Sequence, residues 1–290
     1  MKDAALAAAL TSRTKIALRA AESAAAELLR VRTRGFATEK KGASDLVTDA
    51  DRAAEVAVLA ELRWAFPADM ILAEESDGPA GVERARGLVA DQAFCWVVDP
   101  LDGTTNFAHG RLDFAVSIGL LHYGQPCLGV VLAPMRRELF CGGWHLPATR
   151  NGKRIGVPSC QTLPDALIAT GFPYDKQNRV PQLLAWLGTL LPQVRCVRRN
   201  GSAALDLCDL AAGQLDAYYE AGLQPWDSAG GQAIAVAAGA VMTDLAGRPH
   251  HPFSRACVVA GPALHPALLA VLQAHTDASL LADVAAAVAD

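Results

Sequence analysis

The nine-residue stretch DPLDGTTNF, at Asp99–Phe107, decides the fold of this chain. It directly follows the short apolar run FCWVV at Phe94–Val98, whose length and composition predict a buried strand. The Pro and Gly within the stretch are typical of a turn. The sequence therefore predicts a strand that ends in a turn and brings two carboxylates, Asp99 and Asp102, to one place.

These two carboxylates stand three residues apart after a buried strand, where their mutual repulsion is costly unless a cation neutralises it. Mg²⁺ prefers oxygen ligands and keeps several waters, so a few carboxylates and a substrate phosphate suit it. The backbone amides of Gly103 and Thr104 open a predicted helical turn, where exposed amides bind phosphate oxygens. We expect a metal site and an anion site side by side.

Other acidic residues occupy similar boundaries. Thr48 stands three residues before Asp51, a capping-box pattern that starts a helix running towards Phe66. A strand-like run at 70–73 stops at two Glu residues. The acidic clusters are Asp45 with Asp51, Glu74 with Glu75, Asp99 with Asp102, and Asp227. A lone acid at such a boundary is usually a helix cap or a solvated charge, and the turn from Asp99 to Thr104 is the exception.

Hydrophobic periodicity predicts the remaining elements. Helices are expected at 4–34, 182–191, 202–213, 227–238 and 262–275, with a further helix after Leu280. Strands are expected at 114–122, 126–133, 138–141, 166–170, 216–220 and 258–260, and a Gly-rich loop at 76–91. The pattern predicts an N-terminal α+β lobe (1–145) that carries most of the acidic residues. A C-terminal α/β lobe (146–290), in which strands and helices alternate, would carry Asp227.

Composition narrows the class of protein. The 290 residues are 52% hydrophobic and 19% charged, which favours a folded core, and the net charge of -4 argues against nucleic acid as the main partner. Seven scattered Cys without a C-x-x-C pair fit a reduced, cytoplasmic compartment. We expect no membrane span or leader. His250 and His251, in a Pro-rich turn, are predicted to lie at the surface.

DPLDGTTNF matches the D-P-x-D-G-T-x-N-F signature of the inositol monophosphatase family. WDSAGG at 226–231 resembles that family's W-D-x-A-A-G element, and DLVTDAD at 45–51 and EES at 74–76 resemble its two upstream elements, in the proper order. ATGFP at 169–173 and GSAALDL at 201–207 are similar to the bacterial inositol-1-monophosphatase branch. The resemblance implies an α+β, layered αβαβα sandwich of the inositol monophosphatase and fructose-1,6-bisphosphatase type, usually a homodimer.

The resemblance also implies a Mg²⁺-dependent phosphatase that binds two to three ions. One ion would be held by Glu74, Asp99 and the carbonyl of Leu101. A second ion would be held by Asp99, Asp102 and Asp227. A third, weaker ion would lie near Glu74, and the family's sensitivity to Li⁺ is carried over with it.

In the implied reaction, Glu74 and Thr104 orient and deprotonate a water that attacks phosphorus, and Asp51 lies near the third ion. The amides of Gly103 and Thr104 would hold the phosphoryl group. Four further positions match substrate contacts of the family: Lys40, Ala203, Glu220 and Asp227. The favoured substrate is an inositol monophosphate among small phosphorylated metabolites.

The sequence departs from the family pattern in two places. Ala237–Ala240 replaces an E-A-G-G element, and 141–147 replaces a Gly-rich turn. The same chemistry on histidinol phosphate, fructose 1,6-bisphosphate or a 3′-phosphonucleotide stays open at this point. So does a regulatory binding protein that kept the fold without catalysis, although the complete acidic set argues against it.

Overall fold

The computed structural model describes residues 2–40, 46–173, 176–277 and 280. Within them the helices are α1 (Lys2–Arg34), α2 (Asp49–Ala65), α3 (Glu74–Arg86), α4 (Thr104–Ala108), α5 (Val180–Leu190), α6 (Ala203–Ala211), α7 (Pro225–Ala237) and α8 (His265–Ala274). The first strands are β1 (Thr38–Lys40), β2 (Leu46–Thr48), β3 (Met70–Ala73), β4 (Cys95–Asp102), β5 (Ala115–His122), β6 (Gln125–Ala133), β7 (Glu138–Gly143), β8 (Leu146–Arg150) and β9 (Lys153–Arg154). The later strands are β10 (Leu167–Thr170), β11 (Cys196–Arg198), β12 (Ala217–Ala221), β13 (Val241–Thr243) and β14 (Ala256–Ala260).

Two mixed sheets form the framework. The first has seven strands in the order β3-β4-β5-β6-β7-β8-β9, and only its β3–β4 pair is parallel. The second has five strands in the order β11-β10-β12-β14-β13, with β10 parallel to both of its neighbours. A separate pair, β1–β2, precedes α2.

The layers alternate as α, β, α, β, α, so the expected αβαβα sandwich is confirmed. Helices α1 and α2 pack together on the outer face of the seven-stranded sheet. Helices α6 and α7 lie between the two sheets, and α5 and α8 cover the far side of the five-stranded sheet. Each layer buries one apolar face against the next, which is how a chain of this length forms a continuous core.

Close approach of backbones fixes α7 on the seven-stranded sheet. A side chain at Gly119 would come within 2.9 Å of the α7 backbone at Gly230, and one at Gly129 would overlap the carbonyl of Gly230. Both strand positions therefore require glycine, because no Cβ fits between strand and helix. This contact places the first turn of α7, which carries Asp227, beside the end of β4.

Most of the elements predicted from periodicity are confirmed. Helix α1 ends at Arg34, and Thr48 caps α2 in a complete capping box with Asp51. The expected loop at 76–91 is wrong, because α3 continues through Arg86. Gly78, at φ +58°, breaks the helix, and Pro79 begins its second segment. The N–H that proline lacks would have no partner within the helix at this position, so the second segment is not weakened.

The remaining expectations have different outcomes in the structure. His250 is buried, not at the surface, because Gln232 of α7 hydrogen-bonds both its ring Nδ1 (3.0 Å) and its backbone oxygen (2.8 Å). The 141–147 segment forms the β7–β8 hairpin. The seven-stranded sheet runs on through β9, past residue 146, so the proposed lobe boundary falls within that sheet. The helix expected after Leu280 lies outside the described residues.

Among the helices of the described ranges, none combines the length and the apolar character that a membrane crossing requires.

Candidate active site

Asp99 lies at the irregular end of β4. The register between β4 and β5 shifts between Asp99 and Asp102, which marks a bulge at the start of the quoted stretch. The Asp99 side chain is 1% exposed, and its Oδ1 accepts a hydrogen bond from the backbone N–H of Leu101 at 3.0 Å. The strand therefore ends with a buried carboxylate that turns the chain back on itself.

Four acidic side chains lie within electrostatic reach of one another at this point. Burial raises the pKa of Asp99 well above its ordinary value, and the charges of Glu74, Asp102 and Asp227 raise it further. Burial also raises the pKa of Asp227, against a hydrogen bond from the backbone of Gln224, and Glu74 and Asp102 add to the rise. The four residues come from α3, β4 and the first turn of α7, so distant parts of the sequence converge.

Asp102 is held by the start of α6. Its Oδ2 accepts hydrogen bonds from Ser202 Oγ at 2.6 Å and from the backbone N–H of Ala204 at 2.7 Å. Burial raises the pKa of Asp102 to about 6, although the Ser202 hydroxyl, the Ala204 and Ala203 amides and the charge of Arg199 each lower it. The amide of Ala203, expected to be a substrate contact, thus faces Asp102.

Thr104 and Asp51 form a second buried arrangement. Thr104 Oγ1 lies 2.9 Å from Asp51 Oδ1 and 3.0 Å from the carbonyl oxygen of Leu101, so its single hydroxyl hydrogen has two acceptors within reach. Asp51 Oδ2 accepts from the backbone N–H and the hydroxyl of Thr48, both at 2.7 Å. Asp51 therefore caps α2 and orients Thr104 at the same time.

The turn between Asp102 and Thr104 depends on glycine. Gly103 has φ +93°, and a Cβ there would lie 2.9 Å from the carbonyl oxygen of Asp113 and 3.3 Å from that of Gly201. Asn106 ties the same segment to the second half of the chain, because its Nδ2 donates to the carbonyl oxygens of Asp113 at 2.7 Å and Asn200 at 2.8 Å. The position of the turn is thereby fixed from both halves.

A cavity of about 440 Å³ opens beside this turn. Five of the expected site residues line it: Asp102, Gly103, Ala203, Glu220 and Asp227. Burial raises the pKa of Glu220 to about 7, while a hydrogen bond from Tyr218 and the charge of Arg199 lower it. Lys40 lies in β1, but its side chain lies outside the described part of the chain, as does Asp45.

The cavity also contains residues that the sequence did not single out. Arg199 lines the cavity and stacks over the ring of Phe172, 5.8 Å from its centroid. Asp206 accepts a hydrogen bond from Asn200 Nδ2 at 2.6 Å, and Lys176 lies on the rim. The GSAALDL motif that contains Asp206 was a usable signal, whereas nothing local distinguished Arg199 from its neighbouring arginines.

The donor set fits a hard divalent cation. Glu74, Asp99, Asp102 and Asp227 offer oxygen atoms only, and the repulsion among them favours a cation that neutralises them. Among the described residues, no three His, Cys, Asp or Glu side chains already stand together as a metal-binding group. The chemistry of the acidic oxygen atoms nevertheless suits a cation such as Mg²⁺.

The chain is similar to known proteins along nearly its whole length. Residues 9–277 match the model of the inositol monophosphatase family. The chain is 40% identical over 271 residues to the Nus factor SuhB of Pseudomonas aeruginosa, covering 91% of this chain and 97% of that protein. It is 42% identical over 230 residues to the inositol-1-monophosphatase of Synechocystis, covering 79% and 77% respectively.

The fold agrees with this likeness. The structure of the inositol monophosphatase from Anabaena (Nostoc) superposes with a TM-score of 0.80 at 36% identity, covering 93% of this chain and 98% of that one. Family model, relatives and fold all lead to one assignment: the chain belongs to the inositol monophosphatase family.

Proposed function

We propose that this chain is a Mg²⁺-dependent phosphomonoesterase that hydrolyses a small polyhydroxylated phosphate ester, with an inositol monophosphate as the first candidate. The observation that carries the proposal is that Glu74, Asp99, Asp102 and Asp227 lie within electrostatic reach of one another and that Asp102 and Asp227 line a cavity of about 440 Å³. Membership of the inositol monophosphatase family supports the reaction class.

In the proposed reaction, the four carboxylates and the carbonyl of Leu101 hold two to three Mg²⁺ ions. Bound Mg²⁺ supplies a water of lowered pKa and offsets negative charge on the phosphoryl oxygens. Thr104 accepts a hydrogen bond from the attacking water while its own hydroxyl proton is directed to Asp51 Oδ1, 2.9 Å away. Glu74 accepts a hydrogen bond from the water's other hydrogen and takes that proton as the water oxygen attacks phosphorus, so both residues orient the nucleophile and Glu74 serves as its base.

The amides of Gly103 and Thr104 hold the phosphoryl oxygens, because backbone N–H groups at the start of a helical turn face outward. The ester bond between phosphorus and the alcohol oxygen breaks as water adds, and the alcohol leaves with a solvent proton. Glu220 and Ala203 contact the alcohol part of the substrate across the cavity, and Lys40 is proposed as a further substrate contact. A homodimer and sensitivity to Li⁺ belong to the same proposal.

The test is phosphate release from a panel of esters, with Mg²⁺ and with a chelator. The panel contains inositol 1-phosphate, histidinol phosphate, fructose 1,6-bisphosphate and a 3′-phosphonucleotide. We expect Mg²⁺-dependent release that is fastest with the inositol ester. Fastest release from another member would replace the substrate, and no Mg²⁺-dependent release from any member would refute the proposal.

A second candidate function comes from the relatives named Nus factor SuhB, the first of which aligns with 91% of this chain. We propose to test that role by replacing the Pseudomonas aeruginosa protein with this chain or with its Asp99→Asn variant. Replacement by both versions would support a Nus factor role independent of catalysis. Failure of both, with phosphatase activity intact in the wild type, would leave the enzyme as the single candidate.

A further inference from the structure

Strand β12 presents Tyr218 and Glu220 on one face, since side chains two residues apart point to the same side of a strand. Tyr218 is fully buried between the sheets, and its hydroxyl donates a short hydrogen bond to Glu220 Oε2. Tyr219 points the other way and packs edge-on against Trp186 in the outer core. The Tyr218 hydroxyl therefore contacts the carboxylate of Glu220, which lines the cavity.

A second contact holds the same carboxylate from the side. Gly171, at the end of β10, lies so close to Glu220 that a methyl group there would overlap all three atoms of the carboxyl group. The carboxylate thus lies flat against the Gly171 backbone, which requires glycine at this position. Gly171 and Glu220 both line the cavity of about 440 Å³.

These two contacts leave one oxygen for a ligand. Oε2 is engaged by Tyr218, and across the described residues no hydrogen-bond donor to Oε1 is found. In its ionised form the Glu220 carboxylate is an acceptor only, and Oε1 then matches a hydroxyl hydrogen and not a carbonyl, ether or phosphate oxygen. A substrate without hydroxyl groups would leave this half-buried acceptor desolvated and unpaired, which opposes its binding.

We infer that Tyr218 is a positioning residue that, together with Gly171, fixes the Glu220 carboxylate. In this position Oε1 accepts a hydrogen bond from a hydroxyl group of the alcohol part of the substrate. The inference rests on the proposed phosphatase function and adds to it the two residues, Tyr218 and Gly171, that hold the substrate-facing carboxylate. A glutamate side chain has three rotatable bonds, so holding it before substrate arrives removes an ordering cost from binding. The gain is selective, because only a substrate with a hydroxyl group uses it.

The test compares two esters with the same six-membered ring, myo-inositol 1-phosphate and cyclohexyl phosphate. Tyr218→Phe removes only the hydroxyl. We expect kcat/KM for the inositol ester to fall about tenfold, mostly through KM, and the value for cyclohexyl phosphate to stay within about twofold. Where turnover of cyclohexyl phosphate is too slow, its competitive inhibition constant against the inositol ester replaces kcat/KM.

Tyr219→Phe is the matched control, because it removes a hydroxyl from the opposite face of the same strand. We expect it to leave kcat/KM unchanged for both esters. Gly171→Ala displaces the carboxylate from its other side and should reproduce the selective loss, which keeps the test decisive if Tyr218→Phe is unstable. In a Glu220→Gln background, Tyr218→Phe should add no further selectivity change.

Equal losses for both esters in Tyr218→Phe, or no loss for either, would overturn the inference while leaving the phosphatase intact. A wild type that does not distinguish the two rings would do the same. A wild type without Mg²⁺-dependent turnover of any ester would instead refute the proposed function, and this inference with it.

Discussion

Ser202 Oγ lies 2.6 Å from Asp102 Oδ2, and this contact joins residues one hundred positions apart. The same Ser202 hydroxyl accepts from the backbone N–H of Leu205 at 3.3 Å and so caps α6. One serine thus orders a helix of the middle layer and orients an acid at the end of β4. The stability of the fold and the geometry of the proposed metal site share this residue.

Ser202→Ala should lower the free energy of unfolding by about 1 kcal/mol, the usual cost of losing a helix cap. It should also raise the Mg²⁺ concentration needed for half-maximal activity, because Asp102 loses a donor that favours its ionised form. Urea unfolding and Mg²⁺ titration measure the two effects. Ser202→Thr keeps the hydroxyl and is the control, and an unchanged Mg²⁺ requirement in Ser202→Ala would contradict the prediction.

Asp99→Asn should abolish turnover and yet stabilise the metal-free protein. The variant loses a ligand proposed for two ions, so we expect a decrease on the order of a thousandfold or more. It also removes an ionisable group whose charged form is disfavoured by burial and by Glu74, Asp102 and Asp227, so the melting temperature in chelator should rise. Asp244→Asn is the matched control. Asp244 is also buried but it pairs with Arg248, so we expect this variant to have a lower melting temperature than the wild type. A fall in melting temperature of Asp99→Asn would contradict the argument.

Mg²⁺ binding should release protons near pH 6. Burial raises the pKa of Asp102 to about 6, and the pKa values of Asp99 and Asp227 are also raised well above their ordinary range, so the metal-free site holds protons that a cation displaces. Release from Asp102 should decline as pH rises above 6, where that carboxyl is already ionised. Calorimetry in two buffers of different ionisation enthalpy measures the released protons. Equal heats in both buffers at pH 6 would count against this linkage.

Thr104→Val should lower turnover about a hundredfold, the scale of a lost proton-transfer or orienting group. The valine keeps the shape of the side chain but breaks the contact of 2.9 Å to Asp51 Oδ1. Thr104→Ser retains the hydroxyl and should keep most of the activity. Steady-state kinetics with saturating Mg²⁺ distinguishes the pair, and equal rates for Val and Ser would show that the hydroxyl is dispensable.

Acid should destabilise the fold partly through His250. Burial lowers its pKa to about 3, with His251 adding to the fall, whereas an unfolded histidine titrates near 6.5. The unfolded state therefore binds more protons between these values, and stability is lost as pH falls from 6.5 towards 3, by up to about 1.4 kcal/mol per pH unit. His250→Gln should flatten the pH dependence of urea unfolding, while exposed His275→Gln should not.

Local patterns in the sequence were sufficient for elements whose signals lie within a few residues. The capping box of Thr48 and Asp51 and the apolar stripe of α1 each predicted a helix that the structure contains. Helix α3 was missed because Gly78 and Pro79 are typical of a loop, yet here they join two helical segments. Gly and Pro within a helical segment can produce either a kink or a helix end, and tertiary packing decides which of the two forms.

Non-local contacts could not be predicted. The burial of His250 depends on Gln232, and the pairing of Asp102 with Ser202 depends on how the middle layer meets the end of β4. The place of Arg199 in the cavity wall likewise follows from packing over Phe172 and from no feature of its own segment. The resemblance to a family predicted the convergence of the acids, and periodicity alone did not.

The contact between Asp102 and the start of α6 has a consequence during synthesis of the chain. A nascent chain that has reached residue 200 has already made Glu74, Asp99 and Asp102, but neither Ser202 nor Asp227 exists to complete their surroundings. The first sheet must therefore carry its acids exposed to solvent until the middle layer docks. The proposed metal site is therefore complete only after the segment from Ser202 to Asp227 has packed against the end of β4, so the proposed activity reports on that packing step.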